Sequence, residues 1–404
     1  MTERQNNRSG GAPARFARAL REGLLASPAA GARSRRERIA LALAAPVLAV
    51  VGAAVVTTLV LLVSGKNPLH AFQIMATYGT YSDSQVYILD RATTYYLSGL
   101  AVAVGFRMNL FNIGVDGQYR MAAFFAAVVG GAVALPGPLQ ILVIILVAML
   151  VGAAWSGIAA VLKTTRGVSE VISSIMLNAI ATSVIAYLLN PSRLASKASL
   201  GSNNLTTPPI PAAGRFPSIN TVGGPLWGFL FVAVLVGIVY HLLLTRTRFG
   251  FDLRTTGASE TAALAGGVDV KRMVLSTMLL SGAIAGLVGM PQLLNDSYQY
   301  SLDFPAGIGF TGIAVALLGR NHPVGIAVGA LLWAFLDRTG GQLDFQGYDQ
   351  EIVGIIQGTI VICVVVAYEV VRRYGLRRQQ RAVGEHLGRT RTGGPTTQAQ
   401  EATS

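Results

Sequence analysis

Long apolar stretches dominate the pattern along the chain, and charged residues are concentrated at their ends. The first stretch, residues 39–63, contains no charged residue and exceeds the about 20 residues that a helix needs to cross a bilayer. It is too long for the apolar part of a cleaved signal peptide, so we interpret it as an uncleaved first span. Nine further runs follow, at about 92–107, 119–135, 139–162, 171–189, 226–245, 273–293, 306–319, 323–337 and 351–371. The pattern predicts an all-α polytopic membrane protein with about ten transmembrane helices, some of them broken or half-spans, 92–107 and 306–319 being the shortest.

The distribution of basic residues predicts the orientation of these spans. If the N-terminus is inside, only six of the 32 Lys and Arg residues fall in outside segments: Lys66, Arg91, Arg193, Lys197, Arg215 and Arg338. Cytoplasmic segments of membrane proteins carry an excess of Lys and Arg. Ten spans with both termini cytoplasmic is therefore the predicted topology, and the net charge of +13 is explained by topology and not by nucleic-acid binding.

The composition excludes several classes of protein. Hydrophobic residues make up 52% of the chain and charged residues 13%, about half the usual share in soluble domains. Such a chain is neither a typical soluble enzyme nor disordered. Cys363 is the single cysteine and the four histidines are far apart, so the sequence predicts no disulfide framework and no Cys/His metal cluster.

These patterns divide the chain into a membrane domain and two tails. Residues 1–38 form a basic cytoplasmic tail, which either is solvated or lies on the membrane surface through Phe16, Leu20, Leu24 and Leu25. Residues 39–372 form the transmembrane domain, with an extracytoplasmic loop at 190–224 and a cytoplasmic loop at 246–272. Residues 373–404 are predicted to be a basic, disordered cytoplasmic tail.

Glycine motifs in the spans favour helix packing over nucleotide binding. The chain contains no G-x-x-x-x-G-K-[ST] loop. The G-x-G-x-x-G at Gly307, Gly309 and Gly312 opens an apolar run without a preceding strand, so we interpret it as a site of close helix packing. Gly282 and Gly286, four residues apart, receive the same interpretation.

The cytoplasmic loop contains a candidate docking helix. Small residues at 258, 262, 263, 265 and 266 stand between charged flanks, and a glycine pair follows that can end a short helix. We interpret this segment as a low-profile helix that docks in a groove of a partner protein. An ordinary solvated loop is the less favoured alternative. Leu264 is the candidate apolar anchor, and the Ala262–Ala263 face is predicted to contact the partner.

A polar stretch interrupts the membrane pattern at Phe111–Arg120, which reads F-N-I-G-V-D-G-Q-Y-R. Two glycines and the polar Asn112, Asp116 and Gln118 break a helix and leave backbone groups that hydrocarbon cannot satisfy. The stretch is therefore either a short inside turn or part of a pathway through the membrane. The residues alone do not decide between the two.

A third informative stretch is 167–178, which reads G-V-S-E-V-I-S-S-I-M-L-N. Ser169 is predicted to cap a helix, and Glu170 in its first turn to complement the helix dipole. Asn178 lies on the same face as Glu170 and Ser174, at about mid-membrane depth. A polar residue there faces protein or a cavity, which makes Asn178 a pathway candidate.

Three ordered motifs carry a resemblance to a known family. F-N-I-G-V-D-G-Q at 111–118 resembles the F-N-I-G-x-[E/D]-G-Q signature of permease subunits of bacterial ABC importers for nucleosides and simple sugars. Residues 167–178 are similar to the same family's G-x-x-E-V-I-x-x-I-M-L-N. Gly257, Ala262, Ala263, Gly267 and Val268 match its cytoplasmic loop G-x-N-x-x-A-A-x-x-x-G-I, in which Ser259 replaces the Asn and Glu260 the following Pro. The resemblance runs from about residue 40 to 372.

The resemblance implies a permease that pairs with a second, related permease, two cytoplasmic ATPases and an extracytoplasmic binding lipoprotein. ATP and Mg²⁺ would bind to the ATPases and not to this chain, which itself is no enzyme. The coupling segment would be residues 257–268, with Gly257, Glu260, Ala262, Ala263, Leu264, Gly267 and Val268. Substrate would meet Asn112, Asp116, Gln118, Glu170 and Asn178 along the pathway. The cell location implied is the bacterial cytoplasmic membrane.

The long outer loop resembles the longer permease of nucleoside importers, so nucleosides are the expected substrate and sugars such as ribose or galactose the alternative. A secondary transporter should show repeated halves and a charged pair within the membrane, which the spans do not suggest. A membrane enzyme would need a nucleophile or metal constellation, and the sequence offers none.

Overall fold

The computed structural model describes residues 35–197, 204–348 and 350–392, in two units. The smaller unit contains the first part of helix α1 (Arg35–Val63) and the later part of helix α14 (Gln350–Thr392). These two segments approach each other at Gly52, where an added Cβ atom would lie 3.6 Å from the Cys363 sulfur. The larger unit, residues 57–361, contains every candidate site residue.

Twelve further α-helices are described in the larger unit: α2 Pro68–Gly79, α3 Ser82–Phe106, α4 Val115–Ala132, α5 Gly137–Arg166, α6 Glu170–Leu188, α7 Phe229–Arg246, α8 Arg248–Ala258, α9 Glu260–Ala265, α10 Val270–Leu287, α11 Met290–Gln292, α12 Ile308–Leu318 and α13 Pro323–Phe345. A π-helical turn at Leu293–Ser297 continues α11. Each predicted apolar run coincides with a helix, which confirms the mainly helical fold. Helix α2 was not predicted, and α3 begins ten residues before the run at 92–107.

Five helical segments of the described residues are long and apolar enough to cross a membrane: Gly137–Arg166, Glu170–Leu188, Phe229–Arg246, Val270–Ser297 and Glu351–Val371. Helix α12 has 11 residues and is about 16 Å long, roughly half the hydrocarbon thickness, as expected of a half-span. The run at 92–107, in contrast, belongs to a helix of 25 residues.

Helix α10 lies at the centre of the larger unit. In the apolar stretch of Val270–Ser297, 72% of the residues are buried, against 28% in the segments of α5, α6 and α7. Its close contact with α5 depends on glycine, because a Cβ atom at Gly282 would overlap Gly152 and one at Gly286 would overlap Ala148. The prediction that Gly282 and Gly286 serve close helix packing is confirmed.

The outer loop has more structure than its proline-rich sequence predicts. It contains two antiparallel pairs, Ser196–Lys197 with Leu205–Thr206 and Ser218–Thr221 with Gly224–Trp227 (the outer hairpin). The loop is joined to the segment after α11, since Thr207 N–H donates to the Tyr300 carbonyl (2.9 Å) and Phe216 N–H to that of Leu294 (3.0 Å).

Helix α14 continues to Thr392 and so includes the first part of the segment 373–404 that was predicted to be a tail. Residues 393–404 lie outside the described part of the chain, as do residues 1–34 with the proposed surface-binding side chains Phe16, Leu20, Leu24 and Leu25.

Candidate functional site

The segment between α3 and α4, residues 107–114, which we call the break, extends inward among the other helices. Asn112 Nδ2 donates to Ser281 Oγ on α10 (2.9 Å), and that hydroxyl donates to the Ala101 carbonyl (2.6 Å). Ala101 stands five residues before the end of α3, about 7 Å along the helix axis. The non-helical backbone around residue 112 is thus more than a surface turn. It is buried in protein, one of the two settings in which such backbone is tolerated at membrane depth.

Asn112 in this break and Gln118 near the start of α4 form a reciprocal amide pair. Asn112 Nδ2 donates to Gln118 Oε1 (3.0 Å) and Gln118 Nε2 donates to Asn112 Oδ1 (2.8 Å). Asn112 Oδ1 also accepts from the Gly114 backbone N–H (3.1 Å). Both side chains are almost completely buried. They stabilise the break, and their amides are directed at each other instead of into a cavity.

A stripe of polar residues on α6 lies along the break and the first turns of α4. The stripe has a spacing of four residues, which places its members on one helix face: Glu170, Ser174, Asn178 and Thr182. The Phe111 N–H points at Glu170 Oε1 (3.5 Å), and Arg120 Nη1 donates to Thr182 Oγ1 (2.9 Å). The two sequence motifs are therefore two sides of one helix contact.

Asn178 makes the central contact of the stripe. Its Oδ1 accepts from the Gly117 N–H (2.8 Å) in the first turn of α4, and its Nδ2 donates to the Ile113 carbonyl (3.0 Å). Both halves of the amide bind backbone groups, so Asn178 faces protein here, and its place on a pathway stays a prediction.

Glu170 lies in the first turn of α6 as predicted, whereas Ser169 departs from its predicted role. Glu170 forms a salt bridge with Lys163 near the end of α5 (2.6 Å), which ties α6 to α5 across the loop between them. Ser169 occupies the N-cap position, but its side chain makes no capping hydrogen bond, and the predicted cap is wrong. The Ser169 carbonyl instead accepts from Ser173 Oγ (2.8 Å).

Asp116 organises the start of the half-length helix α12. Its Oδ1 accepts from the backbone N–H groups of Gly307 (2.8 Å) and Gly309 (3.3 Å). A carboxylate at the first turn satisfies free N–H groups and complements the helix dipole. Gly309 packs against the Asp116 backbone and Gly312 against Ser98, which confirms close packing for these two glycines of the G-x-G-x-x-G. Gly307 instead has open space around its Cα and adopts φ +85°.

The short helix predicted within the cytoplasmic loop is present as α9, which we call the docking helix after its predicted role. Ser259 Oγ accepts from the Ala262 N–H (3.3 Å) at its start, and Gly267 adopts φ +82° after its end, a conformation that favours glycine. Leu264 is 60% exposed and Ala262 is exposed, whereas Ala263 is completely buried. The predicted Ala262–Ala263 contact face is therefore corrected: Ala263 points into the chain, and the outward face carries Ala262 and Leu264.

Helix α8, which leads into α9, contacts the turn at the start of the break. Asn109 Nδ2 donates to the Gly257 carbonyl in α8 (2.8 Å). A Cβ atom at Gly257 would lie 2.8 Å from the Met108 Cα, so only glycine allows this approach. Asn109 adopts φ +55°, which asparagine tolerates better than most residues. The turn that precedes the motif at 111–118 thus contacts the motif at 257–268 at Gly257.

Sequence reasoning missed the partners that complete this site. Ser281, Thr182 and Lys163 are ordinary residues of apolar or basic helix segments, and only their contacts reveal them. Asn109 could have been noticed as a residue favourable for a left-handed turn. Among the residues that the structure describes, no group of three His, Cys, Asp or Glu side chains could hold a metal ion.

Comparison with known proteins identifies relatives along most of the chain. Residues 84–365 match the family described as branched-chain amino acid transport system / permease component. A glucose ABC transporter permease of Haloferax volcanii is 31% identical over 345 residues, covering 83% of this chain and 90% of that protein. A guanosine ABC transporter permease of Bacillus subtilis is 30% identical over 334 residues, covering 80% and 93%.

A nucleoside ABC transporter permease of Lactococcus lactis is 27% identical over 337 residues, covering 80% of this chain and 90% of that protein. In both bacteria a second permease of the same description matches 59% of this chain, at 23% identity in Bacillus subtilis and 28% in Lactococcus lactis. No solved structure matches the chain. The extent of these matches, with the polytopic helical fold, shows that the chain belongs to the family of branched-chain amino acid transport system permease components, the membrane subunits of ABC transporters.

Proposed function

We propose that this chain is a permease subunit of an ATP-driven importer that carries nucleosides across the bacterial cytoplasmic membrane. The observation that carries the proposal is the similarity to the guanosine and nucleoside permeases, each aligned over 80% of this chain. The glucose permease of Haloferax volcanii supports the second candidate, an importer of the same type for simple sugars such as ribose or galactose.

The importer would contain several further subunits. The pairs of guanosine and nucleoside permeases in two bacteria support a second, different permease as partner of this chain. Cytoplasmic ATPases would bind ATP and Mg²⁺, this chain would bind no cofactor, and an extracytoplasmic lipoprotein would deliver substrate. The proposed topology keeps ten spans with both termini cytoplasmic, supported by the distribution of Lys and Arg.

The exposed face of α9 is the proposed docking surface for an ATPase. Leu264 offers an apolar anchor, and Ala262 keeps the surface low enough to enter a groove. The remaining coupling residues, Gly257, Glu260, Ala263, Gly267 and Val268, would shape or hold this segment. A displaced docking helix would act through α8, which ends two residues before α9 begins and is bonded at Gly257 to Asn109, in the turn at the start of the break.

The five pathway candidates are proposed to act as the framework of the pathway. Their hydrogen bonds and ion pairs link the break to α5, α6, α10 and α12. Movement of the docking helix would act on that framework and switch the access of the pathway between outside and inside. The residues concerned are Asn112, Asp116, Gln118, Glu170 and Asn178.

Uptake of radiolabelled adenosine, uridine, ribose and glucose, in cells with and without the gene and with or without ATP depletion, tests the proposal. We expect loss of the gene to abolish ATP-dependent nucleoside uptake alone. Loss of sugar uptake alone would favour the second candidate. Uptake that survives ATP depletion but requires an ion gradient would refute an ABC importer.

The docking surface has its own test. Leu264→Glu should abolish ATP-dependent uptake and recovery of the ATPase with the permease, while the chain remains in the membrane at normal amounts. Val222→Glu, at the 99% exposed turn of the outer hairpin, is the matched control and should have no effect on ATPase recovery. Normal ATPase recovery with Leu264→Glu would refute the assignment of this face.

A further inference from the structure

A cluster of charged and aromatic side chains joins α3 to α13 far from the break. It consists of Asp83, Ser84, Tyr87, Arg91, Tyr95, Asp337 and Arg338, which we call the outer cluster. Arg338 forms a salt bridge with Asp83 (2.7 Å) and donates through Nε to Ser84 Oγ (3.1 Å). Tyr95 donates its hydroxyl to Asp337 Oδ2 (3.0 Å), and Arg91 Nε donates to Tyr87 Oη (3.1 Å).

Two guanidinium groups share one aromatic ring in this cluster. The Cζ atoms of Arg338 and Arg91 lie 4.9 Å and 5.4 Å from the centre of the Tyr87 ring. These distances are within the range of cation–π attraction. The ring therefore holds both cations beside the two carboxylates.

The position of the cluster along the helices requires an explanation. Helices α3 and α13 have 25 and 23 residues, about 37 Å and 35 Å, which is the length of a membrane span, although neither is among the five described segments that are also apolar enough to cross. Tyr95 stands about 20 Å along α3 from Ser82. Charged side chains within transmembrane helices face protein or water and mark substrate or ion pathways.

The side chains of the outer cluster are accessible as well as paired. Tyr87, Arg91, Asp337 and Arg338 are only half-buried in the chain. Among the described residues, Arg91 donates one hydrogen bond and Asp337 accepts one, although a guanidinium has five N–H donors and a carboxylate about four acceptor positions. The cluster retains hydrogen-bonding capacity for a ligand.

The charge balance selects the class of ligand. Two arginines and two aspartates give the outer cluster no net charge, so it favours neither anions nor cations. Donors and acceptors arranged side by side suit neighbouring hydroxyl groups, each of which both donates and accepts. A sugar ring without phosphate has this chemistry, and it is common to nucleosides and to simple sugars.

We propose that the outer cluster binds the sugar hydroxyls of the substrate as it enters the membrane part of the importer. Asp337 accepts from a hydroxyl and Arg91 donates to its neighbour. The inference rests on the proposed function, since it assigns a substrate contact within that importer.

A cycle between protein and substrate variants tests the inference in intact cells. Asp337→Asn and Arg91→Gln are each combined with adenosine, 2′-deoxyadenosine and 3′-deoxyadenosine, and maximal uptake is measured together with the amount of chain in the membrane. A hydrogen bond to a charged group contributes about 10-fold to 100-fold. We therefore expect each variant to lower adenosine uptake at least about tenfold, and the loss to shrink below about threefold for the analogue that lacks the bound hydroxyl.

The control is Arg193→Gln, an exposed outside arginine that lies over the Tyr187 ring. It should not change uptake of any analogue. A loss of the same size for all three analogues would overturn the inference and leave the outer cluster as a link between α3 and α13.

The two hypotheses fail in different ways. If wild-type cells take up glucose and not adenosine, the same cycle with 2-deoxy- and 3-deoxyglucose decides the inference by the same criterion. If wild-type cells show no ATP-dependent uptake of either, the proposed function fails and the inference falls with it.

Discussion

Replacing Asn178 by leucine removes both hydrogen bonds that hold the break against α6. The Gly117 N–H and the Ile113 carbonyl lose their partner, and leucine offers neither a donor nor an acceptor. A buried polar group without a partner costs about 1–3 kcal/mol. Gly117 is buried and Ile113 is half-buried, so we expect Asn178→Leu to lower the free energy of unfolding by about 2–4 kcal/mol.

Unfolding of the purified permease in mixed micelles with increasing denaturing detergent measures this change. Ile180→Leu is the matched control, because Ile180 lies on the same helix and is 46% exposed. Asn178→Asp keeps an acceptor for the Gly117 N–H and should fall between the two. Equal unfolding free energies for Asn178→Leu and Ile180→Leu would refute the structural role of the amide.

Transport by Asn178→Leu distinguishes a structural role of Asn178 from direct contact with the substrate. Because both halves of the Asn178 amide bind backbone groups, Asn178→Leu should reduce adenosine and uridine uptake by the same factor. A changed ratio between the two substrates would show that Asn178 contacts the nucleobase directly and would contradict the framework role.

Three other substitutions test separate contacts. Gly286→Ala should prevent normal assembly, measured as the monodisperse fraction in detergent, whereas Gly341→Ala, with open space around its Cα, should be neutral or more stable by about 0.5–1 kcal/mol; equal behaviour would contradict close packing. Asp116→Ala should destabilise the chain by about 1.5–3 kcal/mol in the micelle assay, because Oδ1 accepts two N–H groups, and an unchanged midpoint would contradict this. Asn109→Gly keeps the turn but removes the bond to Gly257, and should lower uptake about 2-fold to 10-fold at unchanged membrane amounts; full uptake would show that the bond transmits nothing.

The helices of this chain could be predicted because lipid imposes a simple rule on apolar length. The rule works for α5, whose 30 residues include an uninterrupted apolar stretch, and it locates α12 as a short element. The rule predicts too short a helix for α3, because Asp90 and Arg91 look like residues outside the membrane. In the folded chain Asp90 accepts the Trp227 N–H from the outer hairpin (2.9 Å), a contact that local sequence cannot reveal.

The sequence predicts which residues belong to the candidate site but not which residues they contact. Asn112, Gln118 and Asn178 were identified as polar residues in apolar surroundings, which is a property of the sequence. Their partners are fixed by which helices become neighbours, and Ser281 is 169 residues from Asn112. The burial of Ala263 was missed for a related reason: six residues make fewer than two helical turns, and the alanine pair does not reveal which member points inward.

The long sequence separation between Asn112 and Ser281 also affects how the membrane protein is made. At a synthesis rate of about 5–20 residues per second, Ser281 appears about 10–30 s after Asn112. An amide without a partner in hydrocarbon is costly during that interval. Gln118 is only six residues from Asn112 and can pair with it at once. During insertion the reciprocal pair therefore lets the two amides satisfy each other's hydrogen bonds locally. When α10 arrives, Ser281 adds its bond to a pair that has already formed.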